Sequence, residues 1–197
     1  MLNGLWQPGW IPSPLFDDRM DQMALNENSR YSRVAQWLHW VIAIMVIGNI
    51  VGGIFHDAIG KQFPVMPIHK AVGITVLALT LVRIGWRLTH ATPPLPARMP
   101  VWEKGLARFS HLFFYILLLL VPLSGWIMTS AGTRPLTWFG LFDIPKWSVT
   151  KDDMIVELSR THGAMGLAFA ALAILHIAAA LRHHYILRDN VMRRMLG

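Results

Sequence analysis

The sequence predicts an all-α protein, a four-helix transmembrane bundle with both termini in the cytoplasm. Three observations carry that expectation. Of 197 residues, 54% are hydrophobic and only 15% charged, with nine Trp and nine Phe, and the mean hydropathy is +0.41. That balance is unusual for a soluble domain and ordinary for an integral membrane protein. Four apolar runs each reach the roughly 20 residues a helix needs to cross about 30 Å of hydrocarbon. Lys and Arg collect in alternate connections, which orients the spans.

Each element follows in order. The N-terminal stretch MLNGLWQPGWIPSPLFDD has no basic start and no apolar core, so it does not read as a secretory signal. Its Pro, Gly and Asp content predicts a flexible tail over residues 1–29. Met20 and Met23 are alternative candidate starts, because ENSRYSR has the look of a cytoplasmic lead-in. Residues 30–197 form one transmembrane domain without an internal repeat. Span one runs from Trp37 to Phe55. A turn-rich connection, 56–67, holds Gly60, Pro64 and Pro67. Span two runs from Ile68 to about Leu88, with Arg83 and Arg87 near its end. Residues 89–108 include ATPPLPARMP and connect to span three, Phe109 to Ser130. Pro122, in LLLLVPLSGW, is expected to kink that span, as membrane helices tolerate. The longest loop covers 131–161, and span four runs from His162 to about Leu181.

Orientation follows from charge. Arg30, Arg33, Arg98, Lys104, Arg108, Arg182, Arg188, Arg193 and Arg194 fall on the tail, the second connection and the C-terminus. Lys61, Arg134, Lys146 and Lys151 fall on the other side, diluted by Asp57, Asp143, Asp152 and Asp153. The first set therefore faces the cytoplasm, and the chain reads as a multi-pass membrane protein. Trp138, Phe139, Phe142 and Trp147 on the outer loop suit the membrane interface.

Other classes are excluded. The net charge of +7 is spread between apolar spans, a pattern for anionic lipid rather than nucleic acid. There is no cysteine, which removes disulfides, thiolate iron–sulfur clusters and c-type haem attachment.

The histidines point to chemistry. His162 and His176 are fourteen residues apart on span four, about 21 Å along the axis and about 40° from exact alignment. Both imidazoles thus share one face at two depths. His69 opens span two at the outer level of His162, and His39 lies in span one near the inner level of His176. Histidines inside spans are costly and commonly functional. A facing pair of imidazoles in a bundle core suits bis-histidine haem iron. Zinc or copper fits less well, since two imidazoles alone make a poor tetrahedral site. None of the eleven methionines pairs in depth as consistently. His111 opens span three near the level of His39, and depth alone does not choose between them as partner of His176.

Five segments carry a family resemblance: RYSRVAQWLHW, PIHKAVGITVLALTLVRIGWRL, FSHLFFYILLLLVPLSGW, RPLTWFG and THGAMGLAFAALAILHIAAALRHHY. In this order, over about residues 30–197, the chain resembles the bacterial cytochrome b561 family. The resemblance implies a four-helix cytochrome with two b haems. It implies His39 and His176 as ligands of the inner haem, His69 and His162 as ligands of the outer one, and His111 as a non-ligand.

Charged neighbours are candidates for supporting roles. Arg83 follows His69 by fourteen positions and shares its stripe, so Arg83, with Arg87 one turn on, is a candidate partner for inner haem propionates. Snorkelling to lipid phosphate is the competing role. Lys70 and Arg160 adjoin His69 and His162, and with Arg134, Lys146 and Lys151 they are candidates for a cationic outer mouth. His183 and His184 lie two turns past His176 and are candidates for supplying protons to a reduced quinone. An interfacial belt with Tyr185 is the plainer reading.

Two haems at two depths make an electron path across the bilayer. The resemblance implies an oxidoreductase, oxidising superoxide at the outer face and reducing ubiquinone with cytoplasmic protons. The alternative is a cytochrome b membrane subunit that relays electrons from a partner dehydrogenase or hydrogenase to quinone. The expected partners are the bilayer, quinone, and superoxide or a protein donor, with a homodimer as a candidate assembly and no nucleic acid. A haem-free membrane scaffold is the third reading.

Overall fold

A computed structural model describes residues 30–60, 62–96 and 99–196. The expectations for the tail 1–29, and for Lys61 and Arg98, lie outside the described residues.

Four long apolar helices form the molecule. Helix α1 (Arg33–Ile54) starts where the Ser32 hydroxyl accepts the Ala35 amide, an N-cap that satisfies one of the first turn's orphan donors. A short helix, α2 (His56–Ile59), follows. Helix α3 (Val65–Thr89) and helix α4 (Val101–Ser130) come next. A hairpin of two antiparallel two-residue strands, β1 (Thr137–Trp138) and β2 (Phe142–Asp143), then precedes helix α5 (Met154–Ser159). Helix α6 (His162–Leu181) opens into a π-helical stretch, Arg182–Leu187, and a last turn, α7 (Arg193–Leu196), ends the described chain.

The helices close a ring: α1 packs on α3, α3 on α4, α4 on α6, and α6 returns to α1. The core is a thin layer of Ile42, Val46, Val76, Leu117, Leu118 and Phe169. Large apolar residues face outward instead, with Ile44 68% and Ile174 67% exposed. Such a surface needs lipid rather than water around it.

Two features depart from the expected plan. The third span starts at Val101 rather than Phe109, so Lys104 and Arg108 lie on a helix, which also contains Pro122. The long loop is not structureless: the hairpin folds back onto the bundle, where Trp138 Nε1–H donates to Thr75 Oγ1 at 3.0 Å. Trp126 Nε1–H likewise donates to the Pro145 carbonyl at 3.0 Å.

The opposite end is tied by the C-terminal segment. The Tyr31 amide and Gln36 Nε2 both donate to the Arg194 carbonyl, and Trp40 Nε1–H donates to that of Met195 at 2.9 Å. One end of the bundle thus holds the hairpin, and the other holds both described chain ends.

Candidate functional site

The bundle brings the histidines together in two groups. At the hairpin end, the ring centroids of His69 on α3 and His162 on α6 are 6.0 Å apart, with planes at 82°. At the other end, His39 on α1 and His176 on α6 are 6.4 Å apart at 76°. His111 on α4 is 6.2 Å from His176, so distance does not separate it from His39 as a partner.

These separations have a chemical meaning. Metal–imidazole bonds are about 2.0 Å long, so two rings on opposite sides of one metal ion have centroids about 6 Å apart. The hairpin-end rings are also fixed in orientation. His69 Nδ1 bonds the Asn49 carbonyl at 3.0 Å. His162 Nδ1 bonds the Val121 carbonyl at 2.9 Å and Ser124 Oγ at 3.0 Å. A carbonyl only accepts, so each Nδ1 carries the proton and each neutral ring keeps its lone pair on Nε2, the ligand form.

Space around these rings is reserved. A cavity of about 650 Å³ is lined by His69, His162, Gly53, Gly125, Lys70 and Phe169, among others. A Cβ on Gly53 would lie 3.0 Å from His69 Cε1, and one on Gly125 would lie 3.0 Å from His162 Cε1. Glycine there permits the close approach of ring to helix backbone. Among the described residues, no three His, Cys, Asp or Glu side chains are grouped to hold a metal ion. Two imidazoles per site therefore need a ligand plane from elsewhere, which a porphyrin supplies through its four nitrogens. The residues present fit that group.

The supporting residues fall as follows. Arg83 donates from Nη1 to the Ala35 carbonyl at 3.2 Å, one turn from His39. Arg87 is exposed and places its guanidinium carbon 5.9 Å from the Tyr115 ring. Lys70 and Arg160 both line the hairpin-end cavity, and Arg160 also pairs with Glu157 at 3.0 Å. Lys146 instead donates to the Gly132 carbonyl. His183 is paired with Asp189 at 2.5 Å, whereas His184 packs edge-on against Tyr185 at 4.7 Å.

Sequence reasoning missed Asn49, Gly53, Ser124, Gly125 and Asp189. A polar Asn inside an apolar span and the small pair in LSGW were available signals. His56 was passed over as a loop residue. It bonds the Gly53 carbonyl through Nδ1 at 2.9 Å and lines the same cavity.

Fold and site define a class: a multi-pass membrane protein of four helices that stacks paired imidazoles at two depths, as transmembrane electron-transfer cytochromes do. The family model described as prokaryotic cytochrome b561 matches residues 30–197. The chain belongs to the prokaryotic cytochrome b561 family, and membership implies haem b. It is 30% identical over 179 residues to cytochrome b561 homolog 2 of Escherichia coli (strain K12), covering 87% of this chain and 94% of that one. It is 29% identical over 174 residues to the probable superoxide oxidase CybB of Yersinia pestis, covering 86% and 97%.

Proposed function

We propose that the chain moves electrons one at a time across the membrane between two haem b sites, oxidising superoxide at the hairpin end and reducing ubiquinone at the other. The observation that carries this reading is the pair of imidazole couples, each spaced for one metal ion. Haem b, when bound, supplies reversible one-electron chemistry. His69 and His162 hold the outer group, and His39 and His176 the inner one. Gly53 and Gly125 leave room for their rings. Lys70 and Arg160 give the outer mouth a positive field that concentrates a small anion, and the naming of a relative as a probable superoxide oxidase supports that anion as superoxide. Arg83 and Arg87 hold inner propionates through charge-assisted bonds. His183, oriented by Asp189, and His184 stand where a reduced quinone takes up protons from the cytoplasm. Two superoxide ions, one ubiquinone and two protons then give two dioxygen molecules and one quinol.

The test is direct. The detergent-purified protein should contain two b haems, reduced by superoxide faster than superoxide dismutates spontaneously, with ubiquinone consumed in step. Haems that superoxide leaves oxidised, or a stoichiometric partner dehydrogenase on purification, would move the function to relaying that partner's electrons.

A further inference from the structure

The two imidazole pairs are held differently. Both hairpin-end rings donate from Nδ1 to backbone carbonyls, at 3.0 and 2.9 Å. At the other end, His39 and His176 make ring contacts with Trp40, Phe114, His111 and each other. Among the described residues, no hydrogen bond reaches either of these two rings. The fixed charges differ too. Arg83 is bonded to the carbonyl one turn before His39, and Arg87 sits over Tyr115, one turn beyond His111.

Both differences act on a metal centre in the same direction. An imidazole that donates to a carbonyl is a more basic ligand, and a more basic ligand favours the oxidised, more positive metal. A nearby guanidinium disfavours that same oxidised state. Lys70 opposes the trend, because it lines the hairpin-end cavity. It is half-buried, with Arg134 and Lys146 near it, and Arg160, although paired with Glu157 at 3.0 Å, adds to the positive field there, so charge alone does not order the two centres. The carbonyl bonds, by contrast, act on the ligand rings themselves with no solvent between.

Resting on the reading that each pair grips a b haem, we propose that the His69/His162 centre has the lower reduction potential and the His39/His176 centre the higher. The chain's own hydrogen bonds and charges then set the direction of flow. One electron leaves the reduced hairpin-end centre and reduces the oxidised centre at the opposite end, with no bond or proton exchanged. Asn49 and Val121, through their carbonyls, and Arg83 are positioning groups for that polarity.

A redox titration of the purified full chain, followed through haem absorbance, tests this. Two components should appear. His69→Ala and His162→Ala should each remove the lower-potential one, and His176→Ala the higher. Loss of the higher component from the first two variants, or one shared potential in the unaltered protein, overturns the proposal. Arg83→Gln keeps all four histidines and decides the matter should a histidine variant fail to fold. It should lower the upper potential alone, and Arg83→Lys should restore it; an upper potential unmoved by Arg83→Gln overturns the assignment of polarity to charge. A preparation without haem would instead remove the underlying reading, a result distinguishable from a reversed order.

Discussion

Gly125 is glycine because an imidazole occupies the space of its side chain. A Cβ there would meet His162 Cε1 at 3.0 Å, tight enough that the ring must shift by a few tenths of an ångström, and overpacking of this kind costs about 1–3 kcal/mol. Gly125→Ala should therefore release the hairpin-end haem in part and leave the other bound, measured as haem per polypeptide. Gly105→Ala, with nothing within 4 Å of its new Cβ, serves as the control and should leave both. Equal haem content in the two variants would show that the close approach does not matter. At this scale the sequence was legible where a side chain does the work. His69 could be matched in depth to His162 from helical rise, whereas rise left both His39 and His111 level with His176. The carbonyls of Asn49 and Val121 could not be found, because every residue carries the same backbone acceptor. His111 remains the instructive case, since its 6.2 Å from His176 nearly equals the 6.4 Å of His39. The ligand set proposed above leaves it a non-ligand, and on that reading His111→Ala should keep both haems and their low-spin spectra while His39→Ala loses one. Loss of a haem from His111→Ala would exchange their roles.

The long helices were legible because twenty apolar residues in a row have few other fates. Their ends were less so. Helix α4 begins at Val101, eight residues before the apolar run seemed to start, because Glu103, Lys104 and Arg108 are polar yet continue the helix. The hairpin was invisible for another reason. Its strands are two residues each, too short for any alternation to register, and the Trp138–Thr75 bond that seats it joins positions far apart in sequence. The π-helical stretch Arg182–Leu187 has the same cause: its geometry follows from what grips its end. His183 pairs with Asp189, and between them Arg188 adopts a left-handed conformation with φ 52°. π-helical turns cluster at functional sites, and this one sits beside the terminal-end histidines. Asp189→Ala should cost about 1.5–3 kcal/mol of local stability, the scale of a hydrogen bond to a charged group. Hydrogen exchange over residues 183–196 should quicken while the middle of α6 stays protected. Unchanged protection over 183–196 would show that the clasp is incidental.

At the scale of the molecule, one helix serves both sites. Helix α6 supplies His162 and His176, and Phe169 lies between them in the apolar layer, about 10 Å along the axis from each. The partners come from different helices, His69 from α3 and His39 from α1. Phe169 also lines the hairpin-end cavity and packs on Phe114, at 5.8 Å, which in turn packs on His176 at 5.1 Å. The bundle thus holds the two histidine groups apart along α6 with packed aromatic rings between them. Independence has a measurable consequence. Substitutions more than about 7–10 Å apart without shared partners add, whereas those acting on one site do not. Adding His69→Ala to His162→Ala should therefore remove no more haem than either alone, because both empty the same site. Adding His176→Ala to His162→Ala should remove all of it. Strong loss of both haems from His162→Ala alone, in a protein that still inserts and runs as a folded species, would mean that α6 couples the sites into one folding unit, and the two-centre design would have to be read as a single cofactor-dependent core.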